Sequence, residues 1–208
     1  GSMIQGDADW FAARAGKFTG SRFSDLMART KSGPSTSRAN LLATLAVERL
    51  TGMCVETYTN GAMQRGTELE PFARAAYEAY IGDLVQEVAW VPHPTLDYAG
   101  VSPDGFAGND GLVEIKCPSA MAKHLAALRS GDHATEYRWQ IQGQIWVCEK
   151  AWCDATSYDP RYPQGLQLAI TRVERDEKAI AELEAACIEA NEEVNAMVSE
   201  LQQMRGAA

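Results

Sequence analysis

Cysteine and histidine, the usual ligands of zinc and of iron–sulfur clusters, are scarce in this sequence and poorly spaced for either. The five cysteines (Cys54, Cys117, Cys148, Cys153 and Cys187) form no C-x-x-C pair, and His93, His124 and His133 lie at no ligand spacing. This excludes a zinc finger or a cluster-binding motif. An odd cysteine count also argues against a disulfide framework and for reduced thiols. No apolar run is long enough to span a bilayer, and no secretory signal or internal repeat is visible, so the expectation is a soluble intracellular protein that does not act at a membrane. An excess of basic residues is missing too: 19 Lys and Arg stand against 28 Asp and Glu, a net charge of −9. A protein that coats nucleic acid non-specifically normally carries the opposite balance.

The chain has the means to build a core. Its 208 residues, 46% of them hydrophobic, suit a single domain over 3–208, with Gly1-Ser2 before Met3 reading as a tag-cleavage scar. Charge is unevenly spread. From Glu174 to Ala208 there are nine acidic and three basic residues, whereas the first fifty hold seven basic and four acidic. Any polyanion should therefore meet the amino-terminal part, leaving the acidic tail turned away. Periodicity predicts helices over Thr19–Met27, Arg38–Thr51 and Gly66–Ile81, then strands over Leu84–Val91, Tyr98–Ser102 and Leu112–Cys117. A helix from Pro118 to about Arg129 and another over Tyr137–Cys148 follow, then strands near Trp152–Tyr158 and over Leu166–Val173. The expected class is α/β (α+β), a mixed central sheet flanked by helices. The final stretch, residues 174–204, reads as a long amphipathic helix with Ile180, Leu183, Ala186, Cys187, Val194, Met197 and Leu201 near one stripe. Such stripes usually pack on their own domain rather than recruit a partner. Thr30 to Ser37 is loop-like, suited to a mobile DNA-facing loop or simply to a connector.

The chemistry concentrates in Ser102-Pro103-Asp104-Gly105 and Leu112-Val113-Glu114-Ile115-Lys116. Alternation in a strand turns Glu114 and Lys116 to one face and Val113 and Ile115 to the other. The short Gly-, Asn- and Asp-rich connection between Gly105 and Gly111 predicts a hairpin that sets Asp104 beside Glu114. Two carboxylates supply hard oxygen ligands for Mg²⁺, and an adjacent lysine can orient an attacking water and stabilise a phosphodiester transition state. A surface hairpin with an accidental ion pair carries the same short pattern. Glu70, Ala73, Arg74 and Tyr77 share a helix face, from which Glu70 can add a third carboxylate. Gln140 and Gln144 lie on one side of the following helix, where neutral amides suit phosphate or lysine contacts.

With these blocks, and with Trp10-Phe11-Ala12-Ala13-Arg14-Ala15-Gly16-Lys17-Phe18-Thr19-Gly20-Ser21 and Tyr158-Asp159-Pro160-Arg161, the chain resembles the phage lambda-type 5′-to-3′ exonucleases, or YqaJ-like viral recombinases, of the PD-(D/E)XK superfamily. The resemblance runs in order from Trp10 to about Lys178. It implies a restriction-endonuclease-like core, with Asp104, Glu114 and Glu70 as metal ligands, Mg²⁺ as the cofactor (Mn²⁺ a substitute) and Lys116 as the catalytic lysine. Gln140 matches the glutamine of a QxxxY-like helix, with Gln144 in place of the tyrosine. Arg14, Ser21 and Ser102, helped by Gln140, match a pocket for the 5′-terminal phosphate. Elementary chemistry agrees: Arg14 can clamp a phosphate bidentately, and Ser21 at an expected helix start adds a donor. An ordinary capped helix with an exposed arginine would carry the same residues. The resemblance further implies digestion of one strand of linear double-stranded DNA to mononucleotides, leaving a 3′ single strand. It also implies a single-strand annealing protein as partner, a ring-shaped homotrimer, and the cytoplasm of a bacterial or phage-infected cell. A structure-specific or restriction-like endonuclease, or a non-catalytic DNA-end-binding scaffold, are the alternatives. Asp97 is a further candidate ligand, and Cys117 reads as a packing residue.

Overall fold

The strand that holds Glu114 and Lys116 is the middle of the molecule. In the computed structural model, which describes residues 2–55 and 61–204, β7 (Gly111–Lys116) pairs antiparallel with β6 (Gly105–Ala107) and parallel with β8 (Trp152–Tyr158). β9 (Leu168–Glu174) closes the four-stranded sheet antiparallel to β8, giving the order β6-β7-β8-β9. Gly1 of the expected scar, residues 56–60 and residues 205–208 of the expected domain lie outside the described residues. The parallel β7–β8 pair requires a crossover, made by α5 (Met121–Ser130), α6 (Asp132–Glu136) and α7 (Arg138–Cys148).

Both faces of β7 are covered. Leu112 joins Ile141 and Ile145 of α7 in the larger core, together with Phe23 and Leu26 of α2 (Phe23–Met27) and Leu41, Leu42 and Leu45 of α3 (Thr36–Thr51). α8 (Glu177–Gln203) seals this core with Ile180, Leu183, Cys187, Ala190 and Val194, an i, i+3, i+4 stripe on a helix capped by Asp176. The expected self-packing of this helix holds through Met197, which is partly buried, whereas Leu201 is exposed. On the opposite face Val113 and Ile115 meet Ala73 and Tyr77 of α4 (Gly61–Ile81). The expected alternation along β7 is present: apolar toward α4, functional toward α7.

A smaller sheet flanks this layer. β5 (Ala99–Val101) pairs parallel with β1 (Phe18–Thr19) and antiparallel with β4 (Val91–Pro92). Several expected boundaries move for identifiable reasons. The single helix expected over Thr19–Met27 is three pieces: Thr19 ends β1, Gly20–Arg22 is one 3₁₀ turn, and only Phe23–Met27 is α-helical. Phe18 and Thr19 are fully buried and pair with Ala99 and Gly100, so tertiary pairing overrides local helix propensity. The strand expected over Leu84–Val91 contracts to a lone bridge between Gln86 and Phe106 followed by Val91–Pro92. The carbonyls of Val88 and Ala89 are taken instead by the side chains of Gln5 and Trp10. The loop-like segment 30–37 contains one arm of a small ribbon, β2 (Arg29–Thr30) against β3 (Gly33–Pro34), and then Ser35 caps α3. α1 (Ala8–Arg14), absent from the reading of periodicity, opens the chain, with Asp7 as its cap.

Candidate active site

The β6–β7 hairpin performs the expected juxtaposition. Gly105 pairs with Val113, so Asp104 falls one rung further on, opposite Glu114, and its Oδ2 accepts the Ile115 backbone N–H at 2.6 Å. Gly105 is required at this corner, because a Cβ there would collide with Val85. Glu114 is buried at 5% exposure, and both its oxygens accept. Its Oε1 accepts from Lys116 Nζ at 3.1 Å and from Gln140 Nε2 at 3.2 Å, and its Oε2 from Gln144 Nε2 at 3.0 Å. Gln140 turns its oxygen to Lys116 Nζ at 3.1 Å, and the ammonium lies 4.2 Å over the Tyr137 ring. α7 thus supplies the tray that fixes the strand's functional pair.

Electrostatics divide the roles. Burial opposes the Lys116 charge, but Glu114 and Asp104 outweigh it and hold the ammonium above its ordinary value. That direction favours the charged form of Lys116, which can donate to an oxyanion. Asp104 is pushed well above the usual carboxylate range by burial, then by the charges of Glu114 and Glu70, with Glu70 also in hydrogen-bond contact. Glu70 comes from α4, where Arg74 lies 3.5 Å from it and 3.2 Å from Glu87. Among the described residues no three His, Cys, Asp or Glu side chains close into a preformed metal cage. The donor set is nonetheless all hard oxygen, and a carboxyl crowded by two others is what a divalent cation relieves. Asp104 and Glu114, with Glu70 behind, fit Mg²⁺, which takes one or two carboxylates and completes its shell with water and phosphate.

A second cluster forms around Ser102, two residues before Asp104 in the chain. Arg14, 6% exposed at the end of α1, donates from Nη1 to Ser102 Oγ at 3.3 Å and from Nη2 to Ser21 Oγ at 3.4 Å. Its guanidinium stacks 4.2 Å over Trp10, one turn earlier on the helix. Trp10 Nε1 in turn donates to Ser102 Oγ at 2.9 Å and to the Ala89 carbonyl at 3.0 Å. With both Ser102 lone pairs facing donors, its hydroxyl proton is left to point at an incoming acceptor. Ser21 is in the 3₁₀ turn rather than at an α-helix start, with Thr19 Oγ1 at 3.5 Å. Behind the cluster Glu48 pairs bidentately with Arg22, at 2.8 and 2.6 Å, and accepts the N–H groups of Gly16 and Val55.

The structure therefore brings Asp104, Glu114, Lys116, Gln140 and Glu70 together in one group and Arg14, Ser21 and Ser102 in another. Gln140 spends its amide on Glu114 and Lys116, and its stem passes beside Gly20, the residue before Ser21. Asp97 is exposed and its charge is felt by Arg49 and Tyr98 instead. Burial raises the Cys117 thiol to about 11, and it packs against the α4-side core. Trp10, Tyr137 and Gln144 are partners to which sequence reasoning gave no such role. The only signal for Trp10 is its i, i+4 spacing to Arg14.

A mixed sheet whose hairpin presents Asp104 and, on the next strand, Glu-x-Lys, backed by a glutamine-bearing helix, defines a deoxyribonuclease of the PD-(D/E)XK class. Residues 9–151 match the family model of the YqaJ-like viral recombinase domain, and the chain belongs to that family. The alkaline exonuclease LHK-Exo from Laribacter hongkongensis is similar at 44% identity, with 95% of this chain and 97% of that one covered. The TM-score is 0.86, and it is 0.87 for LHK-Exo in complex with dAMP. A phage-related exonuclease from Haemophilus somnus 129PT shares the fold, at 14% identity and a TM-score of 0.76 over 89% of this chain and 96% of that one. No curated protein matches the sequence. No helix among the described residues is long and apolar enough to cross a membrane.

Proposed function

We propose that this protein is a Mg²⁺-dependent 5′-to-3′ exonuclease that digests one strand of linear duplex DNA, releasing mononucleotides and leaving a 3′ single strand for annealing. The observation that carries this reading is the pairing of the two clusters through Ser102, two residues before Asp104: Arg14, Ser21 and Ser102 gather donors for a terminal phosphate. A phosphate held there places the next phosphodiester near Asp104, Glu114 and Lys116, so the pocket selects ends and sets a one-nucleotide step. Similarity to an alkaline exonuclease whose crystals hold dAMP supports the same reading.

Each residue then has a task. Asp104 and Glu114, with Glu70, hold Mg²⁺; when bound it acidifies water and offsets charge on the phosphate, and Mn²⁺ is a substitute. Gln140 and Gln144 keep both Glu114 oxygens directed. Lys116, kept charged, donates to the phosphoryl oxygens as negative charge builds there. Arg14 and the Ser102 hydroxyl bind the terminal phosphate. A single-strand annealing protein loading on the overhang and a homotrimeric ring around the duplex belong to this proposal through the family, and linear double-stranded DNA is the substrate.

End-labelled linear duplex carrying 5′-phosphate or 5′-hydroxyl, incubated with Mg²⁺ or chelator beside closed circles, tests it. Mg²⁺-dependent loss from phosphorylated 5′ ends with circles intact is the expected result. Cut circles would instead favour a structure-specific or restriction-like endonuclease. No cleavage of any substrate would favour an end-binding scaffold.

A further inference from the structure

The three carboxylates of the site are not served alike. Glu114 has Lys116 at 3.1 Å and Glu70 has Arg74 at 3.5 Å, whereas Asp104, crowded by both carboxylates, forms no ion pair among the described residues. The two cations also differ in how they are held. Lys116 is fixed by Glu114, by the Gln140 oxygen and by the Tyr137 ring. Arg74 is held through one atom: its Nη2 lies 3.5 Å from Glu70 Oε1 and 3.2 Å from Glu87 Oε1, while its Nε is buried without a hydrogen-bond partner. An arginine that locks structure in this chain looks different, as Arg22 shows with its two short bonds to Glu48.

Glu70 and Glu87 are unequal claimants on that nitrogen. The Glu70 side chain is 27% exposed and touches Asp104, whereas that of Glu87 is 68% exposed and pairs with Arg74 alone among the described residues. Glu87 is nonetheless well placed, because Gln86 before it bridges to Phe106 on the same hairpin that carries Asp104. A cavity of about 470 Å³, lined by Gln5, Glu70, Arg74, Glu87 and Asp104 among others, gives the guanidinium room to move from one carboxylate to the other. A water molecule takes about 30 Å³, so the same space admits a hydrated ion.

We propose that Arg74 is a displaceable counter-ion of Glu70: it neutralises that carboxylate in the metal-free site and passes to Glu87 when Glu70 turns to a divalent cation. A unit positive charge beside a ligand opposes an arriving dication, and a second carboxylate within reach of the same nitrogen relieves that opposition without sending the guanidinium into solvent. Arg74 acts through Glu70 and is a positioning residue, and Glu87 acts through Arg74. This inference rests on the metal site of the reading above.

The two carboxylate partners make the test one of sign. The whole protein, without DNA, is titrated with Mn²⁺, and free ion is read from its electron paramagnetic resonance signal. Wild type is compared with Arg74→Gln, Arg74→Lys, Glu87→Gln and the double variant Arg74→Gln/Glu87→Gln, each checked for a wild-type thermal transition. Arg74→Gln should bind Mn²⁺ about fivefold more tightly and Glu87→Gln about threefold more weakly, the scale of one unit charge at a partly exposed site. The double variant should match Arg74→Gln, since Glu87 then has nothing to receive. Arg74→Lys, which keeps the charge, should stay within about twofold of wild type. Weaker binding in Arg74→Gln would make the arginine a prop of Glu70 and overturn the proposal, as would unchanged binding in both single variants. Additive effects in the double variant would reduce Glu87 to a distant charge and overturn the exchange. Should Arg74→Gln fail to fold, the exposed Glu87→Gln decides alone, with unchanged or tighter binding overturning the proposal. No Mn²⁺ binding by the wild type would overturn the metal site itself, a different result.

Discussion

Glu114 is the residue on which the site turns, because three donors from β7 and α7 converge on its two oxygens. Replacing Gln144 with Leu removes the single donor to Oε2 and leaves a buried charged oxygen without a partner, at a cost of about 1–3 kcal/mol. kcat is expected to fall by about tenfold or more while DNA affinity holds, a split that single-turnover rates and binding isotherms resolve. Lys116→Ala should be more severe, about 10²–10³-fold in kcat, by analogy with removing one oxyanion donor. Arg14→Ala should act elsewhere: rates on 5′-phosphorylated ends fall and those on 5′-hydroxyl ends hardly change, and equal losses on both would sink the pocket assignment. Asp104 sets the pH behaviour. Its raised pKa makes a proton compete with a cation for the carboxylate at higher pH than at an ordinary carboxyl, so half-saturating Mg²⁺ should decrease as pH rises. Titrations at several pH values check this, and Asp104→Asn should abolish both the response and cleavage. At this scale the sequence was most legible, because Asp104, Glu114 and Lys116 are placed by strand alternation and one short hairpin. The roles of Trp10, Tyr137 and Gln144 were not legible, since each depends on contacts between segments far apart in the chain.

Among elements, the long ones could be read and the short ones could not. α3, α7, α8, β7 and β8 carry periodicity over many residues, whereas β1, β4 and the 3₁₀ turn at Gly20–Arg22 are two or three residues long and owe their form to neighbours. The turn is held by what lies beneath it: Glu48 of α3 binds Arg22, Gly16 and Val55 at once. Burial alone would raise the Glu48 pKa, but Arg22 and the two N–H groups outweigh it and the net shift is downward. A lowered folded pKa means that the stabilisation is present above the unfolded carboxylate value and is lost as pH falls through the folded one. Glu48→Gln should cost about 3–5 kcal/mol near neutral pH, typical of removing one member of a buried pair, and the deficit should shrink in acid. Calorimetry from pH 7 downward follows both. Gly143 makes one of the close packings between elements, with the Phe23 ring of α2 where a Cβ would stand. Gly143→Ala should cost about 1–3 kcal/mol, measurable by denaturant titration, and should disturb Gln140 and Gln144 along with the helix.

For the molecule as a whole, the acidic segment is carried on a helix that supplies no residue to the candidate site. α8 carries the acidic tail and spends its apolar stripe against α2, α3 and α7, so its charges face outward from the larger core. Val194, fully buried in that stripe, is the position at which to test this seal. Val194→Asp should bury a charge without a partner and abolish cooperative folding, with loss of the thermal transition as the readout. The asymmetry of charge was visible in the sequence, and so was the class, a mixed sheet flanked by helices. What could not be read was how the smaller β1-β5-β4 sheet brings residues 14, 21 and 102 together, since that depends on two-residue pairings with no pattern of their own.

The parallel pairing of β7 with β8 has a bearing on synthesis. Glu114 faces Ala155 across that ladder, and Gln140 and Gln144 lie in the crossover between the two strands. A chain leaving the ribosome has its acidic hairpin early, but the tray beneath it cannot dock until some forty further residues have emerged and closed a non-local contact, a slow step in folding. Glu114 therefore acquires its two glutamine partners only late in synthesis, once the crossover has folded back onto its strand.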